Sequence, residues 1–151
     1  MTSILFVCHG NICRSPMAEF IMKDLVKKAG LRDRYEIASA ATSWEELGSP
    51  VYPPARRELA LHGISYQGKT ARQVTRKDYE TYDALLCMDH SNVRNLLRII
   101  GSDPQGKVHL LMDYTDTPGE VSDPWYTGDF SRAYADIEKG CRGYLASLKD
   151  E

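Results

Sequence analysis

Cysteine is scarce in this 151-residue chain: Cys8, Cys13, Cys87 and Cys141 are the whole supply. No two of them form a Cys-x-x-Cys pair, so neither a zinc site nor a disulfide framework is expected. Charge of one sign is lacking too. The formal net charge is -2, and no basic block or stripe suggests nucleic acid as a partner. No apolar run approaches the roughly 20 residues of a membrane span. The N-terminus has no basic segment or cleavage site, and Ile4-Leu5-Phe6-Val7 is too short for a signal sequence. A reducing cytoplasm and no membrane association are the expectation. Internal repeats, linkers and low-complexity stretches are absent, so residues 1–151 are expected to form one domain. A monomer is expected, with a weak dimer as the alternative.

What is present is an alternation of strands and helices. Ile4 to Val7 is a strand. Pro16 to Ala29 is a helix with Ala18, Met22, Leu25 and Ala29 on one face, a Ser15 N-cap, and Gly30 as its stop. Tyr35 to Ser39 is a second strand, and a helix runs from Pro53-Pro54 to His62-Gly63. "RKDYETY" is a short helix, Ala84 to Met88 a third strand, and His90 to Ile100 a helix. "KVHLLMD" is a fourth strand, Tyr114 to Asp129 a long loop, and Phe130 to Leu148 the last helix. This order argues for an α/β fold. It is a doubly wound, flavodoxin-like or Rossmann-like, four-stranded parallel sheet with helices on both faces. Ligands of such sheets bind beyond the carboxyl ends of the strands.

The first loop lies on that edge. Cys8-His9-Gly10-Asn11-Ile12-Cys13-Arg14-Ser15 joins strand to helix. A loop with Gly10 and Asn11 tolerates positive φ and can turn successive N–H groups inward as an anion nest. Arg14 adds a planar fork that can grip two phosphate oxygens. A thiol in that field is expected to ionise, and the Ser15 hydroxyl could donate to it. A thiolate beneath a bound phosphate invites in-line attack on phosphorus. A single Cys-x5-Arg match is weak, and most lone cysteines are small buried hydrophobes. The strand before and the helix start after give it context. The lysine of a nucleotide-binding P-loop is missing.

"VCHGNICRSPMAE" resembles the signature loop of the low-molecular-weight protein tyrosine phosphatases. "CMDHSN" at Cys87 to Asn92 and "DPWYTGDF" at Asp123 to Phe130 resemble further motifs of that family, in order and spacing across essentially the whole chain. The resemblance implies a phosphocysteine intermediate and neither metal nor cofactor. It implies phosphotyrosine-containing proteins or small aryl phosphates as substrates. Residue by residue, Cys8 resembles the nucleophile, Arg14 the phosphate clamp, Ser15 the hydroxyl assisting the thiolate, and Asn11 the residue holding the strained turn. Asp123 resembles the general acid. The chemistry asks for such a donor facing Cys8, and the loop after the fourth strand can reach the same edge. The plain alternative is an Asp-Pro turn.

The expected phosphate-binding loop is thus His9, Gly10, Asn11, Ile12, Cys13, Arg14 and Ser15, with Trp44, Trp125 and Tyr126 as cleft walls. Lys69 stands where many members carry a histidine that helps hold the asparagine, Ala40 where glycine is usual, and His9 where the residue is often apolar or small. Two readings of Cys13 stand side by side: a buried thiol, or a partner trapping oxidised Cys8 as a disulfide. His9 is either a rim contact or a half-exposed polar residue, and Trp44 is either a cleft wall or a packing residue. Asp89 reads as an N-cap rather than a catalyst. Cys87 and Cys141 read as core, and His62, His90 and His109 as structural or surface residues. An arginine-phosphate phosphatase would carry threonine at Ile12. A thioredoxin-coupled arsenate reductase would need two further redox cysteines. A non-catalytic anion binder would be expected to lose Cys8, Arg14 or Asp123.

Overall fold

The computed structural model describes residues 1–148. Four strands, β1 (Thr2–Cys8), β2 (Tyr35–Ala41), β3 (Ala84–Cys87) and β4 (Val108–Leu110), pair in parallel in the order β2-β1-β3-β4. Helices α1 (Arg14–Lys28), α2 (Pro53–Leu61), α3 (Arg76–Thr81), α4 (His90–Ile100), α5 (Pro124–Thr127) and α6 (Phe130–Leu148) follow in chain order. The expected architecture is therefore the observed one.

Strand periodicity divides the core in two. Ile4, Phe6 and Cys8 face a cluster that includes Met17 and Ile21 of α1, Leu59 of α2, and Ile137 and Cys141 of α6. Leu5 and Val7 face the other side, with Leu85 and Cys87 of β3, Leu96 of α4 and Tyr82. Both faces of β1 are covered, which is why Ile4 to Val7 is an unbroken apolar run rather than an alternating one. Strand order reverses direction between β1 and β3, and the crevice at such a switch point lies beyond the ends of those strands.

The element boundaries differ from expectation at several informative places. Helix α1 begins at Arg14, with Cys13 in the cap position and no side-chain cap. Pro16 is its third residue, still in the first turn, where a missing N–H breaks no helical bond. The Ser15 side chain is thereby released from capping. Arg14 to Met22 are all buried, and one turn later Val26 is buried while Leu25 is half-buried and Ala29 is exposed. The β2 strand runs two residues longer than expected, to Ala41, and β3 ends one residue sooner, at Cys87. "KVHLLMD" yields only three strand residues before Leu111–Tyr114 winds into a 3-10 turn. The expected long loop contains α5, one short turn of helix. Gly30 and Gly63 stop their helices at φ of 71° each, in the left-handed region.

That 3-10 turn is clamped by α6. A Cβ at Gly143 would sit 1.9 Å from the Tyr114 carbonyl oxygen, and one at Gly140 would sit 2.5 Å from Leu111 Cγ. Glycine at 143 lets helix and turn touch, and the turn leads directly into the loop carrying Asp123. Alanine is the better helix former by about 1 kcal/mol, so Gly143→Ala would stabilise an unobstructed helix. Here the overlap should win, and the variant should lose about 1–3 kcal/mol. A urea midpoint equal to or above that of the parent would contradict the close approach.

Candidate active site

Cys8 ends β1 on the α1 side of the sheet, almost fully buried. The chain then turns through His9 to Cys13 and enters α1, whose first N–H groups lack helical partners and point back into the loop. Asn11, at φ 59°, takes the left-handed conformation that asparagine tolerates. Gly10 does not have a positive φ, so its value lies elsewhere than the backbone freedom expected of it.

The hydrogen bonds around Asn11 have a readable direction. The backbone N–H of Arg72 donates to Asn11 Oδ1 at 3.2 Å, which fixes the amide. Asn11 Nδ2 then donates to Ser39 Oγ at 3.0 Å and to Ser15 Oγ at 2.7 Å. The Ser39 hydroxyl donates in turn to Glu19 Oε1 at 2.6 Å. Ser15, already accepting from Asn11, is left with a hydroxyl proton to donate, and Cys8 Sγ lies 2.9 Å away. The Asn11 backbone N–H also donates to Cys8 Sγ, at 3.3 Å. The sulfur is thus on the accepting side of two donors, the arrangement a thiolate needs.

Lys69 holds the far end of this chain. Its ammonium donates to the Ser39 carbonyl at 2.8 Å and lies 3.7 Å from the buried Glu19 carboxylate. Burial pulls the Lys69 pKa down, against the attraction of Glu19. Lys23 closes on the other Glu19 oxygen at 2.6 Å. Support for Asn11 in this chain therefore runs through Ser39 and the Glu19 carboxylate, with lysine behind them.

Arg14 is buried and faces the opposite wall. Its Nη1 lies 2.9 Å from Asp89 Oδ2 and donates to the Val121 carbonyl at 3.1 Å; its Nη2 reaches Asp123 Oδ2 at 3.4 Å. Burial depresses its pKa, but Cys8, Asp123 and Asp89 outweigh burial and the net shift is upward. Asp89 caps α4 as expected, accepting from the Asn92 N–H at 2.8 Å. It also holds Arg14, a role its position in the sequence did not reveal. The Val121 N–H donates to the Met88 carbonyl at 2.9 Å, pinning the last loop to the end of β3. Asp123 begins α5, its side chain accepting from the Trp125 N–H at 3.0 Å. Asp123 thus starts a turn and also lines the same cavity as Cys8.

Cys8, Arg14, Asp89 and Asp123 line one cavity of about 510 Å³, together with His9, Gly10, Ile12 and Cys13. Trp125 and Tyr126 form its aromatic side. Trp44 is 71% exposed and so not a core residue, and it directly precedes Glu45 and Glu46 of the cavity lining. His9 sits on the rim, Nε2 3.2 Å from Glu45 Oε2. Cys13 is a free, buried thiol, its pKa pushed up to about 12 by burial first and then by Cys8 and Asp123. Cys87 and Cys141 are fully buried core thiols, with pKa values raised by burial. His62 stacks on Tyr134 at 3.7 Å between ring centroids, and His90 and His109 are exposed. Among the described residues no group of His, Cys, Asp and Glu is arranged to hold a metal ion, and no helix is long and apolar enough to cross a membrane.

This geometry has close parallels. The family model described as low molecular weight phosphotyrosine protein phosphatase matches residues 3–151. Low molecular weight protein-tyrosine-phosphatase YfkJ of Bacillus subtilis is 39% identical over 153 residues, covering 100% of this chain and 98% of that protein. Its crystal structure superposes with a TM-score of 0.94 at 38% identity, over 99% of this chain and 96% of that one. The rat low molecular weight phosphotyrosine protein phosphatase is 40% identical over 95% of this chain and 93% of its own. The crystal structure of SP-PTP, from Streptococcus pyogenes, gives a TM-score of 0.88 at 40% identity, over 98% of this chain and 93% of that one. With sequence, fold and full-length coverage in agreement, the chain belongs to the low molecular weight phosphotyrosine protein phosphatase family of hydrolases.

Proposed function

We propose that this chain hydrolyses phosphotyrosine in proteins, and small aryl phosphates, without metal or cofactor, as one catalytic domain. The observation that carries the reading is the position of Cys8 Sγ. It lies at the mouth of a helix-start nest, accepts from Ser15 and Asn11, and shares a cavity with Arg14 and Asp123. The names of the relatives point the same way.

In the first step the Cys8 thiolate attacks phosphorus in line. Loop N–H groups and the Arg14 fork hold the three non-bridging oxygens. Asp123, as the acid, gives its proton to the departing phenolic oxygen, leaving phosphocysteine and a free phenol. In the second step Asp123 takes a proton from water as that water attacks phosphorus. Sulfur leaves as thiolate, stabilised by the Ser15 hydroxyl, and inorganic phosphate departs. Between substrates Arg14 pairs with Asp89 and Asp123. An incoming phosphate would take over the guanidinium edge now facing Asp123. Ile12, in place of threonine, favours tyrosine over arginine phosphate. The unpaired thiols suit a reducing cytoplasm.

The test is phosphate release from a phosphotyrosine peptide with a chelator present. Turnover should persist at the level seen without chelator. Arg14→Lys keeps the charge but loses the fork that follows phosphorus toward its planar transition state. A rate loss on the order of 10²–10³ is expected, the scale of a missing transition-state donor. No phosphate release, or a near-normal Arg14→Lys enzyme, would overturn the reading.

A further inference from the structure

The ionisable acidic and basic side chains lining the catalytic cavity are His9, Arg14, Glu45, Glu46, Asp89 and Asp123. Arg14 is the only lysine or arginine among them, and it is buried and already engaged by Asp89 and Asp123. The nest and Arg14 are set deep, where the phosphate goes. The rim is different. Glu45 is 67% exposed at its side chain and meets His9, whose side chain is 55% exposed, at 3.2 Å. A protonated His9 would do no more than cancel Glu45, and Glu46, half-buried and bound by the Ser49 hydroxyl at 3.0 Å, still leaves the wall negative. The same cavity is lined by Trp125, 57% exposed, and Tyr126, 85% exposed. Exposed aromatic faces attract lysine and arginine side chains.

We propose that the Glu45–Glu46 wall, with His9 as partner to Glu45, makes this enzyme prefer phosphotyrosine flanked by basic residues and disfavour acidic flanks. The inference rests on the phosphotyrosine reading above. The phosphate of the substrate is held by the nest and Arg14, while the residues beside it in the peptide lie against the rim. There a lysine or arginine meets carboxylates and aromatic faces. A glutamate meets like charge.

The test compares kcat/KM for two peptides, Ala-Lys-pTyr-Lys-Ala and Ala-Glu-pTyr-Glu-Ala, both blocked at their ends. The wild-type enzyme at low salt should favour the lysine peptide by about 3- to 10-fold, the worth of one or two exposed ion pairs. The advantage should shrink at about 0.5 M salt, as rim electrostatics are screened. Glu45→Lys should bring the ratio to one or below, and Glu45→Gln should fall between. Because each ratio is internal to one enzyme, a general loss of activity in a variant cancels. A wild-type ratio at or below one, or a ratio unmoved by Glu45→Lys, overturns the rim assignment while leaving the phosphatase reading intact. Cleavage of neither peptide by the wild-type enzyme overturns that reading, and the rim assignment with it.

Discussion

Replacing Cys8 by serine is expected to abolish turnover while leaving oxyanion binding in place. The hydroxyl oxygen fits where sulfur sits, so the fold should persist, with a melting temperature within a few degrees of the parent. The binding elements also remain: Asn11 still turns the loop, the α1 N–H groups still point inward, and Arg14 is untouched. What disappears is the nucleophile. The hydroxyl of serine stays protonated near neutral pH, and nothing among its neighbours takes that proton, because both Ser15 and the Asn11 N–H are donors. The loss should be on the order of 10⁴–10⁶ in rate, the scale for removing a covalent nucleophile. Inorganic phosphate should bind about as well as to the parent, since the nest and Arg14 are untouched. Single-turnover phosphate release and calorimetric titration with phosphate measure the two halves. Activity within tenfold of the parent would remove Cys8 from the mechanism; loss of phosphate binding would mean the nest itself had collapsed.

How much of this site was legible in the sequence depends on how local each interaction is. Cys8, Asn11 and Arg14 fall within seven residues, between a strand and a helix whose apolar patterns are plain, so they could be read together. Ser15 departs from the expected N-cap role for a local reason. Serine before proline has the right composition for a cap, but the helix starts two residues sooner, at Arg14, whose side chain is held by Asp89 and the Val121 carbonyl. Those partners lie 75 and 107 positions along the chain, beyond the reach of helical periodicity. The same holds for Ser39 and Arg72, which fix the Asn11 amide from β2 and the segment before α3. Glu19 did leave a trace. It falls four residues after Ser15, on the same face of α1, where an acidic side chain on a buried helix demands partners. Glu45 and Glu46 left none, because carboxylates in a polar loop are ordinary until the fold sets them on a cavity rim.

Asp123→Ala should slow phosphotyrosine cleavage by something on the order of 10²–10⁴, the usual worth of a general acid. The size of the loss should follow the leaving group. A phenol that is stable as an anion departs without help, so its first step should hardly notice the missing carboxyl. A tyrosine phenolate is a poor leaving group and should suffer most. Asp123 lines the same cavity as Cys8, at the N-cap of α5, with the Val121–Met88 bond holding its loop to the sheet. Asp89 is another carboxylate of that cavity, but its oxygens are spent on the Asn92 N–H and on Arg14 at 2.9 Å. Protonating it would break the cap of α4 and release the clamp, so it is poorly placed to carry a proton each cycle. The measurement is pre-steady-state phenol release across a series of substituted phenyl phosphates, because hydrolysis of phosphocysteine can mask the first step in steady state. In the parent the dependence on leaving-group pKa should be shallow, and in Asp123→Ala it should steepen. Equal slopes would show that Asp123 does not protonate the departing oxygen. A steep slope in Asp89→Asn instead would move the acid to the end of β3. The expected outcome for that variant is a general loss at every leaving group, since what Asp89 supplies is the position of Arg14.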